Sequence, residues 1–454
     1  MTLTCFKAYD IRGRLGIDLD AGIAYRIGRG FARALGARRV VLGRDCRASS
    51  EELADAVAQA LQDEGAAVLN LRLSGTEEMY FATSHFAADG GICVTASHNP
   101  LDWNGMKMVR AGSAPLDAKT GLADIRALAE ADDFGPARMG GQCDISGAAR
   151  AAYVARVLSF IDVEALRPLH ILVNAGNGAA GPTFDAIDSE LIARGAPLRF
   201  TRMHHTPDGH FPNGIPNPLL EENQPETAAA VRAAGADFGV AWDGDFDRCF
   251  FFDHEGNFMP GEYVVGLLAE AFLVKQPGAT IIHDPRVIWN TLDVVARSGG
   301  TAVQSRTGHA FIKQAMRDTD AIYGGEMSAH HYFRDFAYCD SGMIPWLSIA
   351  ELVSRKGALR DLVAARRAAF PSSGELNFTL ADPKAAMARM RAEFAPQAQA
   401  IDEMDGLGVD LGTWRFNLRI SNTEPVVRLN VEARNDAELV TEGVARVKSL
   451  LMAQ

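Results

Sequence analysis

Three aspartates alternate along one short segment of this chain. Asp243, Asp245 and Asp247 come directly after the apolar run Phe238–Trp242. Three carboxylates on one loop are suitable oxygen ligands for a hard divalent cation such as Mg²⁺ or Ca²⁺. An EF-hand is a poor match, because its loop needs Gly at the sixth position and Glu at the twelfth, and this segment has neither. The alternative is a solvated turn, which Asp-Gly pairs also favour, but the flanking aromatic residues argue against full solvation.

A serine follows another apolar run, within the segment TASHNP at residues 95–100. A serine that leaves a strand for a loop is expected to be exposed, and it can act as a nucleophile when it is activated. His98 and Lys107 are candidates for handling a proton or a phosphate oxygen near Ser97. In isolation, an ordinary Ser/Asn turn before proline would be the better interpretation of this segment.

Charge connects the serine to the three aspartates. A phosphoryl group beside carboxylates would be repelled by about 4 kcal/mol per close pair at an effective dielectric constant of about 20. Such a cluster needs a divalent cation and a nearby arginine, and Arg248 directly follows Asp247. Because Mg²⁺ usually binds a few carboxylates together with a phosphate oxygen, a phosphorylated Ser97 would complete the ligand set.

A third polar loop, GGEMSAHH, occupies residues 324–331. Its carboxylate, hydroxyl and imidazole groups fit the recognition of sugar hydroxyls by fixed polar side chains. Zinc is a poor alternative, since only two histidines are adjacent and no cysteine has ligand spacing. A helix N-terminus with surface histidines is the other interpretation.

A fourth loop, RISNTEP at residues 419–425, lies between two apolar stretches, the second of which contains Arg428. An arginine with clustered hydroxyl, amide and backbone N–H groups forms an anion nest that suits phosphate. A polar hairpin loop is the alternative.

The elements that must position these loops repeat along the chain. A strand, a helix closed by glycine and a second strand follow one another in residues 40–71, 171–200 and 281–303, with the second helix expected after Pro182. This order indicates right-handed βαβ units. Each unit is followed by a further apolar strand, at 91–94, 238–242 and 321–323, that ends in one of the first three loops. Ligand sites in such sheets lie beyond the carboxyl ends of strands, so the three loops are expected to converge on one cleft.

The tail from about residue 369 has a different pattern. Residues 376–380, 414–420 and 426–432 alternate like half-buried strands, and residues 437–451 have the pattern of an amphipathic helix. Paired strands with helices predict a small α+β domain.

Composition excludes several classes of protein. The formal net charge of −12 argues against a nucleic-acid partner, because backbone binding depends on an excess of Lys and Arg. No apolar run reaches the roughly 18 residues of a membrane helix, and no secretory signal is apparent. The six scattered cysteines fit reduced thiols, mostly buried, rather than disulfides or zinc ligands. We therefore expect a cytoplasmic protein without nucleic-acid or membrane partners.

Taken together and in order, these segments resemble the α-D-phosphohexomutase family, and within it the bacterial phosphomannomutase branch. The motifs that carry the resemblance are FKAYDIRG (6–13), TASHNP (95–100), NGMK (104–107), DGDFDR (243–248), GEMSAH (325–330) and RISNTEP (419–425). The resemblance implies three similar α/β domains with mixed or parallel sheets and a smaller C-terminal α+β domain, a mobile lid, around a central cleft. We expect these domains at residues 1–150, 151–252, 253–368 and 369–454.

The resemblance also implies roles for individual residues. Ser97 would be the phosphoserine, and its phosphate would bind Mg²⁺ together with Asp243, Asp245 and Asp247. The residues implied to line the phosphoryl-transfer site are Arg12, His98, Lys107 and Arg248. Those implied to contact the sugar are Glu326, Ser328, His330, Arg286 and His309. Those implied to hold the phosphate that is not transferred are Arg419, Ser421, Asn422, Thr423 and Arg428.

The expected reaction interconverts mannose 6-phosphate and mannose 1-phosphate through a hexose 1,6-bisphosphate, which also serves as an activator. Either His98 or Lys107 would be the general base. Ala329 stands where many relatives have glycine, and the resulting GEMSAHH form resembles the phosphomannomutase branch. Some close relatives also accept glucose phosphates, which are therefore the alternative main substrates. A phosphatase with Asp243 as nucleophile would leave TASHNP and RISNTEP unexplained, and a non-catalytic sugar-phosphate binder should lack a nucleophile or a metal ligand. We expect a monomer or a homodimer.

Overall fold

The computed structural model describes residues 2–420 and 426–452. The chain divides into two units, residues 1–258 with 330–355 and residues 259–329 with 356–454, called the first and the second unit below. Ser421, Asn422 and Thr423 of the predicted phosphate nest lie outside the described residues.

The first segment of the chain forms a mixed sheet. Its elements are β1 (Ile11–Arg14), α1 (Ala21–Leu35), β2 (Arg39–Arg44), α2 (Ser50–Asp63), β3 (Ala67–Leu73), α3 (Thr76–His85), β4 (Gly90–Val94), β5 (Trp103–Arg110), β6 (Ala114–Pro115), α4 (Ala123–Ala131), β7 (Gln142–Asp144) and α5 (Ser146–Leu158). The strand order is β1-β5-β4-β2-β3-β7, with β6 beside β5. Strands β4, β2, β3 and β7 run parallel, while β5 runs antiparallel to β4 and to β1.

Helix α1 illustrates how the sequence determines an element. Asp20 caps its first turn by accepting a hydrogen bond from the Ile23 amide at 2.7 Å. Gly36 ends it in the left-handed conformation with φ of +59°, which glycine adopts without a steric penalty. The buried side of α1, including Ile27 and Phe31, packs against α2, α4 and the sheet to form the core of this segment.

The second segment has a five-stranded sheet. Its elements are β8 (Leu169–Asn174), α6 (Ala180–Ala193), β9 (Leu198–Met203), α7 (Gln224–Ala234), β10 (Phe238–Trp242), β11 (Cys249–Asp253) and β12 (Phe258–Met259). The strand order is β12-β11-β10-β8-β9, and β10 lies parallel to β8 but antiparallel to β11. All five residues of β10 are buried, as the apolar run in the sequence predicted.

The third segment contributes to both units. Its elements are α8 (Gly261–Lys275), β13 (Thr280–His283), α9 (Trp289–Arg297), β14 (Thr301–Gln304), α10 (His309–Thr319), β15 (Tyr323–Gly325), β16 (His331–Phe333), β17 (Cys339–Asp340), α11 (Met343–Lys356) and α12 (Leu359–Ala369). In the second unit, β13 lies parallel to both β14 and β15. In the first unit, β16 pairs with β17 in the antiparallel direction.

The fourth segment is an antiparallel sheet with two helices. Its elements are β18 (Ser372–Thr379), α13 (Pro383–Phe394), β19 (Ala400–Asp402), β20 (Leu407–Asp410), β21 (Trp414–Ile420), β22 (Val426–Ala433) and α14 (Ala437–Met452). The strand order is β18-β22-β21-β20-β19. Its core includes the rings of Phe394, Trp414 and Phe416, which contact one another edge to face or at a tilt.

Short helical turns complete the described chain. The 3₁₀ turns are Ala111–Ser113, Val163–Ala165, Glu221–Asn223, Arg334–Phe336 and Ala395–Gln397, and a π turn spans Ala118–Leu122.

The predicted fold class is confirmed: three α/β segments precede a smaller α+β segment, and the first three loops each follow the end of a strand. The domain boundaries at 150, 252 and 368 stay a prediction. All six cysteines are free, and four of them are buried, as expected. Over residues 2–420 and 426–452, no helix combines the length and apolar composition that a membrane crossing requires.

Several predicted elements differ from the structure at their ends, and the differences at α6 and β15 have a clear physical reason. Helix α6 begins at Ala180, before Pro182, because proline in a first helical turn lacks only an N–H that would have no partner there. The strand predicted at 321–323 begins instead at Tyr323. The Ala321 amide still bonds the Met316 carbonyl at the end of α10, at 3.0 Å, and so belongs to the helix end.

Phe184 on α6 provides a test of this packing. Its side chain is fully buried, and its ring lies 4.9 Å from Phe200, 5.9 Å from Trp242 and 5.6 Å from Trp346. We expect Phe184→Ala to lower the free energy of unfolding by about 3–5 kcal/mol, because it leaves a cavity among aromatic rings. Urea denaturation followed by tryptophan fluorescence measures this. Ile192→Ala on the same helix is the control, since Ile192 is 65% exposed. Equal losses of unfolding free energy in both variants would contradict the assignment of Phe184 to the packed core.

Candidate active site

The three aspartates lie together at the end of β10 in the first unit. Asp243, Asp245 and Asp247 are each at most 1% exposed. One carboxylate oxygen from each lies within 4.8 Å of the others. The solvated turn considered for this segment is therefore excluded, and the loop forms a buried acidic cluster.

The oxygens of this cluster fit a divalent cation. Within the described part of the chain, Asp245 Oδ1 and Asp247 Oδ1 are buried without a hydrogen-bond partner. Buried carboxylate oxygens are costly unless they are paired or bind a metal. Burial above all, and then the charge of Asp245, raise the pKa of Asp247 to about 6. An oxygen-only donor set of this kind suits Mg²⁺ or Ca²⁺ rather than zinc.

Lys107 on β5 supplies a positive charge to the cluster. Its Nζ donates to Asp245 Oδ2 at 2.8 Å and also contacts Asp247 Oδ2. Burial lowers the pKa of Lys107, but the charges of Asp245 and Asp247 outweigh burial and hold that pKa above its ordinary value. The ammonium group is therefore protonated and offsets part of the negative charge.

Ser97 lies directly beside Asp243. Its Oγ donates to Asp243 Oδ2 at 2.7 Å and lies 3.0 Å from His98 Nδ1. The expectation that this serine is exposed is wrong, because the residue is only 4% exposed. The aspartate loop covers it: a Cβ on Gly244 would lie 2.5 Å from the Ser97 carbonyl oxygen, so only glycine permits this approach.

Arg248 and Arg12 complete the cationic side of the site. Arg248 donates to Asp243 Oδ2 from Nε at 2.9 Å and from Nη2 at 2.7 Å, and it also contacts His98 Nδ1. Burial by itself would raise the pKa of Asp243, but the Arg248 guanidinium holds it well below its usual range. Arg12 donates to the Thr95 carbonyl at 2.9 Å. Thr95 begins the loop between β4 and β5, residues 95–102, which contains Ser97 and is called the serine loop below. The first unit thus brings together the residues implied for phosphoryl transfer.

His330 was grouped with the sugar loop by sequence, and the structure places it beside the aspartates in the first unit. Its Nδ1 lies 3.1 Å from Asp340 Oδ2 and 3.9 Å from Asp247 Oδ1. Its backbone forms a bridge with that of Arg248. Asp247, His330 and Asp340 form a second possible ligand group, but it shares Asp247 and so belongs to the same site.

Three predicted arginines lie in the second unit around Glu375. Arg286 Nη1 lies 3.5 Å, Arg419 Nη2 3.8 Å and Arg428 Nη1 3.3 Å from the Glu375 carboxylate. Two of these arginines have a further carboxylate nearby, since Arg286 Nη2 lies 2.6 Å from Asp284 Oδ2 and Arg419 Nη1 lies 3.6 Å from Asp405 Oδ2. Guanidinium groups clustered in this way are suited to bidentate binding of a phosphate. The structure therefore groups the arginines that the sequence placed in separate motifs.

The sugar-loop residues lie next to this arginine group, within the same unit. Arg286 Nη2 donates to Ser328 Oγ at 3.3 Å and lies 4.0 Å from Glu326 Oε1. Glu326 Oε1 accepts from the Gly308 amide at 2.9 Å, immediately before His309 at the start of α10.

Sequence reasoning missed Thr76, Asp340 and Glu375. Thr76 begins α3, and its Oγ donates to Asp245 Oδ2 at 2.5 Å although 169 residues separate the two. It follows closely on the end of β3, so the rule that strand ends carry the site could have found it. Asp340 and Glu375 have no comparable signal, because they become relevant only through contacts made in the folded chain.

Comparisons with known proteins agree with this geometry. Models of phosphoglucomutase/phosphomannomutase match in chain order: domain I at residues 4–135, domain II at 151–256, domain III at 260–370 and the C-terminal domain at 375–450. The chain belongs to the phosphoglucomutase/phosphomannomutase family. The resemblance found in the sequence is confirmed, and the chain is an enzyme of this phosphohexomutase family.

Relatives in the family cover the whole chain. A phosphomannomutase of Salmonella typhimurium is 60% identical over 453 residues, 99% of this chain and 98% of the relative. A phosphomannomutase of Escherichia coli K12 is 58% identical with the same coverage. A protein of Xanthomonas campestris strain B100 described as phosphohexose mutases is 53% identical over 452 residues, 99% of this chain and all of that protein.

Solved structures of the family have the same fold. A phosphoglucomutase/phosphomannomutase family protein of Burkholderia thailandensis gives a TM-score of 0.86 at 33% identity, covering 99% of this chain and 98% of the other. An Aspergillus fumigatus N-acetylphosphoglucosamine mutase, solved with GlcNAc-6P and magnesium, gives a TM-score of 0.60 at 15% identity, covering 98% and 96%. The latter likeness shows the fold alone.

The contact of Thr76 with Asp245 predicts an effect on cation binding. Thr76→Val keeps the side-chain shape but removes the hydroxyl that orients Asp245. We expect the affinity for a divalent cation to fall about 10-fold or more, which is the usual effect of removing a side chain that hydrogen-bonds a metal ligand. Isothermal titration calorimetry with Mg²⁺ measures the change. Thr83→Val on the same helix is the control, because its hydroxyl bonds only within α3, and an unchanged Mg²⁺ affinity for Thr76→Val would refute the role.

Proposed function

We propose that this enzyme interconverts mannose 6-phosphate and mannose 1-phosphate through a phosphoserine at Ser97 and a hexose 1,6-bisphosphate. The observation that carries the proposal is the 2.7 Å hydrogen bond from Ser97 Oγ to Asp243 in the buried acidic cluster. It places a hydroxyl where a phosphate on it would join three carboxylates around a cation. Relatives named phosphomannomutase, up to 60% identical over nearly the full chain, support mannose as the sugar.

The proposed reaction has two phosphoryl transfers. In the first, the P–Oγ bond of phosphoserine 97 breaks as a bond forms to O1 of mannose 6-phosphate, and the proton that O1 loses passes to Ser97 Oγ. The resulting 1,6-bisphosphate turns over within the site. In the second transfer the phosphoryl group on O6 moves to Ser97, the hydroxyl proton of Ser97 passes to O6, and mannose 1-phosphate remains. Added bisphosphate would phosphorylate Ser97 and so act as an activator.

Residues of the first unit have distinct parts in this scheme. His98 Nδ1 lies 3.0 Å from Ser97 Oγ, whose hydroxyl donates to Asp243. When that hydroxyl turns toward His98, the imidazole would take the serine proton during phosphorylation of the serine and would return it afterwards. Lys107 and Arg248 stabilise the negative charge spread over the phosphoryl oxygens during transfer. Asp243, Asp245 and Asp247 would hold Mg²⁺, which supplies Lewis-acid stabilisation of that charge when it is bound.

Residues of the second unit would hold the part of the substrate that does not react. Arg286, Arg419 and Arg428 already surround a carboxylate, and a sugar phosphate presents a similar anion. Glu326 and Ser328 offer acceptor and donor groups for sugar hydroxyls. Because the bisphosphate must reverse its orientation, the same arginines would bind whichever phosphate is not being transferred. Ser421, Asn422 and Thr423 belong to this proposal through the family motif alone.

The alternatives from the sequence are weakened. A phosphatase would use Asp243 as nucleophile, but its Oδ2 is occupied by Arg248 and Ser97. A non-catalytic binder would lack a nucleophile or a ligand, and Ser97 and all three aspartates are present. Glucose phosphates stay the alternative substrates. A cytoplasmic location and a monomeric or dimeric state stay predictions.

Ser97→Ala tests the proposal directly. We expect mutase turnover to fall about 1000-fold or more, because no other group can carry the phosphoryl between the two transfers. A coupled assay with mannose 6-phosphate and glucose 6-phosphate side by side, with and without a bisphosphate activator, measures turnover and sugar preference together.

Phosphopeptide mapping of the wild-type chain under turnover provides the second arm of this test. Phosphate should be found on Ser97 and not on Asp243. Ser84→Ala is the matched control, since Ser84 lies in the same segment and bonds only Ser113. Normal activity of Ser97→Ala would disprove the phosphoserine assignment.

Arg419→Ala tests the binding role of the second unit. Its guanidinium lies 3.6 Å from Asp405 and 3.8 Å from Glu375, and it is well placed to bind a substrate phosphate. We expect the Kd for mannose 6-phosphate to rise about 10- to 100-fold, the effect of losing one hydrogen bond to a charged group. Titration calorimetry should show unchanged Mg²⁺ affinity, and Arg446→Ala on the exposed side of α14 is the control. Equal losses of sugar-phosphate and Mg²⁺ affinity would argue against a separate phosphate site.

A further inference from the structure

The guanidinium of Arg47 hydrogen-bonds backbone carbonyls of the serine loop, although Arg47 lies outside all the sequence motifs. It follows β2 by three residues and is only 3% exposed. Its Nη2 donates to the carbonyl oxygens of Ser97 at 2.9 Å and Asn99 at 2.5 Å. Its Nη1 donates to those of Pro100 at 2.9 Å and Trp103 at 3.2 Å. One guanidinium therefore binds four carbonyl groups, three in the serine loop and one at the first residue of β5.

The serine loop needs such support because its backbone conformation is unfavourable. Ser97 has φ of +50°, in the left-handed region that residues other than glycine seldom adopt. Its conformation persists only where surrounding contacts over-determine it. The Ser97 carbonyl is fixed between the Arg47 guanidinium and Gly244 of the aspartate loop. With the carbonyl fixed, the side chain is directed to Asp243.

Arg47 is itself held rigidly. Asp45 Oδ1 accepts from the Arg47 amide at 2.9 Å and from Ser50 Oγ at 2.5 Å, and Asp45 Oδ2 lies 3.6 Å from Arg47 Nε. The guanidinium also lies over the Phe211 ring at 5.4 Å. Asn104 Nδ2 donates to Ser50 Oγ at 2.9 Å, so these contacts also reach β5, the strand that follows the serine loop.

We propose that Arg47 is a positioning residue for phosphoryl transfer, acting by holding the carbonyls of the serine loop so that Ser97 Oγ faces Asp243. Arg47 hydrogen-bonds the backbone of Ser97 and none of the reacting atoms, so its effect passes through the serine. The inference rests on the proposed function for the identity of the atom that is positioned. The guanidinium is suited to the role because its planar fork presents five donors from three nitrogen atoms, whereas an ammonium group presents three donors from one nitrogen atom.

The test compares Arg47→Lys and Arg47→Met with the wild-type enzyme. We expect kcat to fall about 100-fold in Arg47→Met, the effect of a displacement near 1 Å at a reacting group. Arg47→Lys should recover part of this loss, since it keeps the charge but reaches fewer carbonyls. The KM for mannose 6-phosphate and the Kd for Mg²⁺ should stay within about threefold of wild type, because neither ligand touches Arg47.

Arg29→Lys is the matched control for the loss of a buried arginine. Arg29 is 4% exposed in the same segment and bonds Glu64, Tyr25 and the Phe134 carbonyl, all away from the serine loop. We expect it to lower stability without lowering the kcat of the folded enzyme. A loss of kcat equal to that of Arg47→Lys would overturn the proposal, as would a kcat of Arg47→Met within about twofold of wild type.

Amide hydrogen exchange of residues 95–104, followed by mass spectrometry, is a readout that does not need activity. Exchange should be faster in both Arg47 variants and in Asp45→Asn, which removes the charge that holds Arg47. Asp45→Asn also carries the test if Arg47→Met does not fold. Unchanged exchange would overturn the inference. If Ser97 is never found phosphorylated, the proposed function fails, while faster exchange would still establish the support of the loop by Arg47.

Discussion

The burial of three like charges on one loop is the constraint on which the candidate site depends. Asp243, Asp245 and Asp247 are almost completely removed from water. Carboxylates at such distances repel one another by several kcal/mol in a protein interior, so the loop is stable only with opposite charge close by. Lys107 supplies that charge from β5 and Arg248 from the residue before β11, and the unpartnered oxygens of Asp245 and Asp247 leave ligands for a cation. The same charges that stabilise the loop are those that phosphoryl transfer requires.

The second unit also pairs opposite charges. Arg286, Arg419 and Arg428 all lie near the Glu375 carboxylate. Arg286 in addition contacts Asp284, and Arg419 lies near Asp405, so the guanidinium groups of this cluster are balanced by carboxylates. The formal net charge of −12 does not oppose binding of an anionic sugar, because recognition depends on these local groups.

Much of the fold could be predicted from the periodicity of apolar residues and from the glycines that close helices. The apolar runs at β10 and β21 matched the observed strands, and polar loops followed the ends of β4, β10 and β15. Ends of elements were less predictable, as at α6, because a proline inside the first helical turn does not disrupt it. The expected exposure of Ser97 was wrong because a strand exit does not reveal what the rest of the chain places over it.

The sequence by itself determined the family, the fold class and the motif residues proposed for both sites, since motifs such as TASHNP and DGDFDR are local strings of residues. Only the tertiary structure decided which groups touch. Arg47 meets the Ser97 carbonyl across 50 residues, Thr76 meets Asp245 across 169, and Glu375 meets arginines from three separate strands or loops. Such contacts depend on how strands are ordered in their sheets, and no local pattern encodes the partner of a side chain that lies far away along the chain.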